Sequence, residues 1–393
     1  MKNLIWVVLA VLCLICPTIK AGGRVCYAEP TDESTESALK EETVKQLQAL
    51  ELSDLENSFE NANFADGASL EDFLTQVIDG SLPLNFSTIM GFINQYIKEN
   101  IKNVIAFIIT IIAICFLSAL FTNLQSPKMA NGMGGTVSSV FLIVLILLIS
   151  YRVIDSITNV VKSINSVGNV LNSAFPIIFA LMATLGATKS SAIFKPTVVV
   201  FTSVILKIFS TVIVSLIVAY FICVCLGNIT PNFKLEKIKK FIVSLIKAII
   251  GVVFTVFMAY LSLQGITSAT ADGISIKTTK YAIKNYVPVV GGYFADGFEI
   301  FKAGSLLIKN SVGVVSLLII FFSCLGLVVN LIVMNLCLKL ASGVSEPFSS
   351  GGVNNFISGV SEVFKYLLAT VLVVFMMAFI IIILVLLSAS NIL

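Results

Sequence analysis

The carboxylates after residue 100 are Asp155, Glu236, Asp272, Asp296, Glu299, Glu346 and Glu362. Two carboxylates held a few ångströms apart can work as general acid and base, but these seven are scattered along the chain. Asp296 and Glu299 stand three apart and would share a helix face. Beside Lys302 they read more simply as part of an i,i+3 ion pair. The chain contains no histidine, which excludes a histidine metal site, a Ser-His-Asp triad and a histidine proton relay. It has no G-x-x-x-x-G-K-[ST] segment, so nucleotide hydrolysis would need another protein. Gly132-Met-Gly-Gly135 lacks the strand and the lysine of a phosphate cradle and reads as turn chemistry. No cofactor is called for, and the chain is not read as an enzyme.

The cysteines give the same answer. Cys13, Cys16 and Cys26 lie near the N-terminus, and Cys115, Cys223, Cys225, Cys324 and Cys337 lie in or at the end of apolar runs. Cys223-Val-Cys225 would put its thiols on different faces of a helix, without metal-ligand spacing. Packing is their default role.

Two lysines inside apolar runs have more chemical interest. Residues 241–263 hold fourteen Leu, Ile, Phe or Val around Lys247. At about −0.3 to −0.6 kcal/mol each, these outweigh the roughly +2.5 to +3.5 kcal/mol of a central lysine. Lys247 and Lys207 are therefore candidate intramembrane charges. Snorkelling to the interface is their simple role; facing the bundle interior, either would meet an acidic helix or a passing anion.

Such charges need a membrane domain to position them, and the composition supplies it. Hydrophobic residues make up 57% of the 393 positions and charged residues 12%, far from the roughly 25% charged of soluble domains. The fold class is all-α, a polytopic helical membrane protein. Lys2, the apolar run Leu4–Ile15 and Pro17 form a signal-peptide pattern too short to span. Cleavage fits after Ala28, or after Ala21, and an uncleaved anchor is the alternative. Residues 1–28 are assigned as the signal peptide.

Charge then divides the remainder. Residues 29–100 carry 15 Asp/Glu against three lysines, a balance of −12, whereas residues 101–393 carry 19 Lys/Arg against seven acids, a balance of +12. Residues 29–100 form an acidic, helical, exported region, with a capping-box-like start at Ser69-Leu-Glu-Asp72. Its core would be thin, so it is expected to pack on partners or on its own membrane domain, with a solvated acidic spacer of two short helices as the alternative. Residues 101–393 hold clear apolar runs at 103–122, 136–154, 208–227, 241–263, 312–335 and 366–388. A shorter run at 173–188 carries Pro176. The expectation is about seven spans, with six as the alternative. Lysine counts do not choose between the two, nor fix the side of loop 264–311.

One stretch does not fit an ordinary span: Tyr286-Val-Pro-Val-Val-Gly-Gly-Tyr-Phe-Ala-Asp-Gly-Phe-Glu299. Pro288 disfavours helix at Val287, and Gly291 and Gly292 open backbone conformations closed to other residues. With Asp296 and Gly297, these residues are read as a docking or re-entrant turn at the end of a helix carrying Lys277, Lys280 and Lys284. A second interrupted segment runs from Ala341 to Gly352. Gly/Pro-broken apolar stretches in both halves also fit a solute permease, with Lys207 or Lys247 at its site.

The lysine-rich helix running into Val287-Pro-Val-Val-Gly-Gly292 and Ala295-Asp-Gly297, together with the layout of the whole mature chain, resembles the stage III sporulation protein AE family. That resemblance implies a multi-pass subunit of a channel or secretion-like complex in the mother-cell membrane around the forespore. It implies other stage III A proteins as partners, among them a separate secretion-type ATPase, and the forespore's stage II sporulation protein Q reached through the complex. Membrane lipid is implied and nucleic acid is not. A membrane scaffold recruiting partners through the acidic region is the remaining alternative. No catalytic residue is carried over.

Overall fold

The computed structural model describes residues 33–62, 69–79, 81, 86–123, 133–185, 188–229, 235–271, 291–346 and 351–390. Among them there is no strand. Three short helices, α1 (Glu33–Gln48), α2 (Ser53–Ala62) and α3 (Leu70–Ile78), precede the long ones. These are α4 (Phe86–Asn123), α5 (Met133–Thr184), α6 (Thr188–Lys207), α7 (Val214–Ile229), α8 (Glu236–Ala271), α9 (Gly291–Ser345) and α10 (Gly351–Ser390). A π-helical segment, Ile208–Ile213, joins α6 to α7 directly after Lys207.

The short helices form where the sequence spaces its apolar residues by helical turns. Ser69 caps α3: its hydroxyl accepts from the Asp72 amide at 3.1 Å and donates to the Asp72 carboxylate at 2.8 Å. This supplies a first-turn amide with the acceptor that the helix cannot give it. Leu55, Phe59, Leu70, Phe73 and Leu74 are buried, with the Phe59 and Phe73 ring centroids 5.3 Å apart. This small core does not stand alone. Gln46 donates to the carbonyl of Phe301 at 3.2 Å and accepts from the Ser305 hydroxyl at 2.8 Å. The acidic region thus docks on α9 of its own chain.

The long helices make an up-and-down bundle whose register is fixed by a few side-chain pairs. α9 and α10 are antiparallel: Ser342 meets Asn354, Asn335 meets Ser361, Phe321 meets Phe375, and Lys309 meets the carbonyl of Leu386. α5 runs beside α9 with Ser163 against Cys324, and α7 runs beside α10 with Tyr220 against Glu362. Close approach requires small residues at two points. A Cβ on Gly313 would lie 2.4 Å from a Leu386 methyl, and one on Gly359 would lie 2.6 Å from a Val224 methyl.

Among the described residues, five segments are long and apolar enough to cross a membrane: Ser139–Thr184, Pro196–Ile229, Glu236–Leu263, Ile300–Ser345 and Gly352–Leu387; Val104–Ser118 is a shorter apolar helix. The run 173–188 is not a separate span in its described part. It continues α5, because Val160, Ile164, Val167 and Leu171 bury one unbroken helical stripe between the two apolar runs. The charge step at Asn100 likewise falls inside α4 rather than at a break. α9, at 55 residues, is about 80 Å long at about 1.5 Å per residue.

Candidate functional sites

The residues singled out in the sequence scatter. Pro288 lies outside the described residues. Gly291, Gly292, Asp296 and Gly297 occupy the opening turns of α9, so the backbone from Gly291 onward is helical rather than a turn. Lys207 and Lys247 both lie exposed on the outside of the bundle, on α6 and α8. The fully buried lysine is a different one, Lys309, whose ammonium donates to the Leu386 carbonyl at 2.7 Å. Lys302, one helical heptad earlier, is 8% exposed. The sequence reading placed both in loop 264–311; α9 takes them into the bundle.

Two arrangements that sequence reasoning missed are better built. The first is a stripe on α5. Asp155, Thr158, Lys162, Asn165, Asn169 and Asn172 follow one another at spacings of three and four, and all are exposed. That spacing puts them on one helix face. The same face is apolar nearer the N-terminus, where Val140, Val144, Leu147 and Tyr151 are exposed. Its character changes at Asp155.

The depth of this stripe matters more than its composition. Ser163 lies 3.4 Å from Cys324, in the middle of the apolar run of α9. Leu171 shares a small void with Ile205, Phe257 and Val374, which ties the stripe's far half to α6, α8 and α10. At that level the exposed residues of α6 include Val200 and Val204 beside Ser203 and Lys207, and those of α8 include Val252 and Val256 beside Thr255. The unbroken row of amides and charges at this level belongs to α5, whereas α6 and α8 show single polar side chains among exposed valines.

The second arrangement is a cavity of about 160 Å³ where α9 ends and α10 begins, lined by Lys339, Ser342, Ser358, Ser361, Glu362 and Lys365. Tyr220 donates its hydroxyl to Glu362 at 2.7 Å. Ser361 and Asn335, both buried, are paired at 3.1 Å. The signal for this site was in the sequence as helical spacing: Asn335, Lys339 and Ser342 on one helix, Asn354, Ser358, Ser361 and Lys365 on the other. Among the described residues no group of three His, Cys, Asp or Glu could hold a metal ion.

Long apolar helices packed up and down, with polar groups confined to a stripe and an end cavity, define a polytopic α-helical membrane protein. The family model described as stage III sporulation protein AE matches residues 68–389. The chain belongs to that family, and so to the proteins of sporulation. It is 22% identical over 383 residues to stage III sporulation protein AE of Bacillus subtilis (strain 168), covering 96% of each chain. No solved structure matches.

Proposed function

We propose that this chain is a structural or gating subunit of the channel or secretion-like complex between mother cell and forespore, sitting in the mother-cell membrane around the forespore. The observation that carries this reading is the depth of the α5 stripe. A row of three asparagines, an aspartate and a lysine at the level of the α9 apolar run is costly against hydrocarbon. A lone membrane anchor has no use for it; a subunit that faces water or a neighbouring subunit does.

In this reading residues 1–28 direct export, residues 29–100 lie on the far side of the membrane, and residues 101–393 form the membrane domain. The docked acidic helices stand ready to meet other stage III A proteins, and the complex draws its nucleotide hydrolysis from a separate ATPase and reaches stage II sporulation protein Q of the forespore. The segment of Pro288, Gly291, Gly292, Asp296 and Gly297 is a subunit-docking element. The permease alternative draws no support from Lys207 and Lys247, which face outward.

The test replaces Asn165, Asn169 and Asn172 together by leucine. Leucine is the better residue against lipid, so a lipid-facing stripe would leave sporulation intact. The expected result is a chain that still inserts but no longer yields heat-resistant spores or co-purifies with other stage III A proteins. Normal sporulation by the triple variant would overturn the proposal.

A further inference from the structure

The cavity between the ends of α9 and α10 is lined by side chains of both charges. Lys339 projects from α9 and Lys365 from α10, each an ammonium with three donors. Lys365 is also placed over the Tyr366 ring, 5.9 Å from its centroid. Between the lysines stand acceptors. Ser342 donates its hydrogen to Asn354 at 2.6 Å and Ser361 donates its hydrogen to Asn335 at 3.1 Å, so both hydroxyls offer lone pairs. Tyr220 occupies one oxygen of Glu362, which leaves the other for a donor.

An anion alone would meet the Glu362 carboxylate here, and a cation alone would meet two lysines. A phosphate with a primary ammonium a few ångströms away satisfies both sets. The surroundings add an apolar requirement: Leu336, three residues before Lys339 and so its neighbour on α9, begins an exposed apolar row that continues away from the pocket through Leu340 and Val344, which are 39%, 65% and 49% exposed in that order. A polar pocket beside an aliphatic ridge matches a molecule with a charged head and an acyl tail. We propose that this cavity binds the headgroup of an aminophospholipid, with the phosphate on Lys339 and Lys365 and the ammonium on Glu362. The ridge takes part of an acyl chain.

The site discriminates by hydrogen count. A phosphatidylcholine headgroup has no N–H to give Glu362, and a phosphatidylglycerol headgroup has no cation. Charge-assisted hydrogen bonds are strong enough that losing one lowers retention by about tenfold or more.

The experiment uses the full chain purified in detergent, with native mass spectrometry after exposure to dioleoyl phosphatidylethanolamine, phosphatidylglycerol or phosphatidylcholine. The expected result is retention of phosphatidylethanolamine at least about tenfold above the other two. Glu362→Gln should erase that preference, while Lys339→Gln with Lys365→Gln should lower retention of phosphatidylethanolamine and phosphatidylglycerol together. Size-exclusion profiles identify a variant that has unfolded; for such a variant Lys365→Gln alone is read instead, with the same loss expected. Equal retention of the three lipids by the native chain overturns the proposal, as does an unchanged preference in folded variants. Displacement of the lipid by equimolar O-phosphoethanolamine would assign the cavity to a soluble zwitterion and overturn the lipid reading.

Discussion

The Lys309 ammonium, wholly buried in α9, donates to the main-chain carbonyl of Leu386 in the last turns of α10 at 2.7 Å. Carbonyls near a helix C-terminus carry the negative end of the helix dipole, so a buried cation is well placed there. The pair clamps the far end of the α9–α10 hairpin. Lys309→Ala would open a cavity and leave the carbonyl with less compensation, a loss of about 2–5 kcal/mol by analogy with buried large-to-small changes. Lys309→Met retains the volume and should lose clearly less. Thermal unfolding of both variants in one detergent measures the difference.

Farther along the hairpin, Gly359 brings α10 against Val224 of α7. A Cβ there would meet the Val224 methyl at 2.6 Å, and valine in a helix has little rotamer freedom to move away. Gly359→Ala should therefore destabilise by about 1–3 kcal/mol, the range for overpacking. Val224→Ala in the same chain should recover most of that loss. A double-mutant cycle on unfolding midpoints reads the coupling directly.

The buried Asn335–Ser361 pair, 3.1 Å apart, is an asymmetric case. Removing one partner leaves the other buried and unsatisfied, which costs about 1–3 kcal/mol, whereas removing both is nearly neutral. Ser361→Ala alone should be the more damaging change, and Ser361→Ala with Asn335→Leu the milder one. The same unfolding assay decides it.

These side-chain relationships show what the sequence could and could not convey. Hydropathy located the cores of α7 to α10, because a run of about twenty apolar residues has few other uses. It gave depth but no azimuth. Lys207 and Lys247 are candidate intramembrane charges from their places in apolar runs, but whether they face the interior depends on how α6 and α8 rotate against their neighbours. The stripe from Asp155 to Asn172 is hard to see in the sequence because its apolar counterpart, Val160 to Leu171, lowers the contrast of the segment. Lys309 falls in α9 rather than in a loop, because Gly291, Gly292 and Gly297, which look like breakers in the sequence, are readily accommodated at a helix start. The charge step at Asn100 marks a change in composition, and α4 passes through it without interruption.

The docking of the acidic region on α9 yields the last prediction. Gly304 faces α1, where a Cβ would lie 3.2 Å from the Thr43 hydroxyl and 3.5 Å from the Gln46 amide nitrogen. Thr43 cannot retreat freely, because its hydroxyl already donates to the Leu39 carbonyl at 2.6 Å. Gln46 is held between Phe301 and Ser305. Gly304→Leu should push α1 off α9, break both Gln46 contacts and leave the bundle beneath intact, since the atoms nearest that Cβ belong to α1. Limited proteolysis of the purified variant should then cut within residues 33–62 at rates well above those of the native chain, while the fragment from α4 onward survives. Equal protection of the two chains would mean that the short helices hold themselves together without α9, contrary to the thinness of a core built on Leu55, Phe59, Leu70, Phe73 and Leu74.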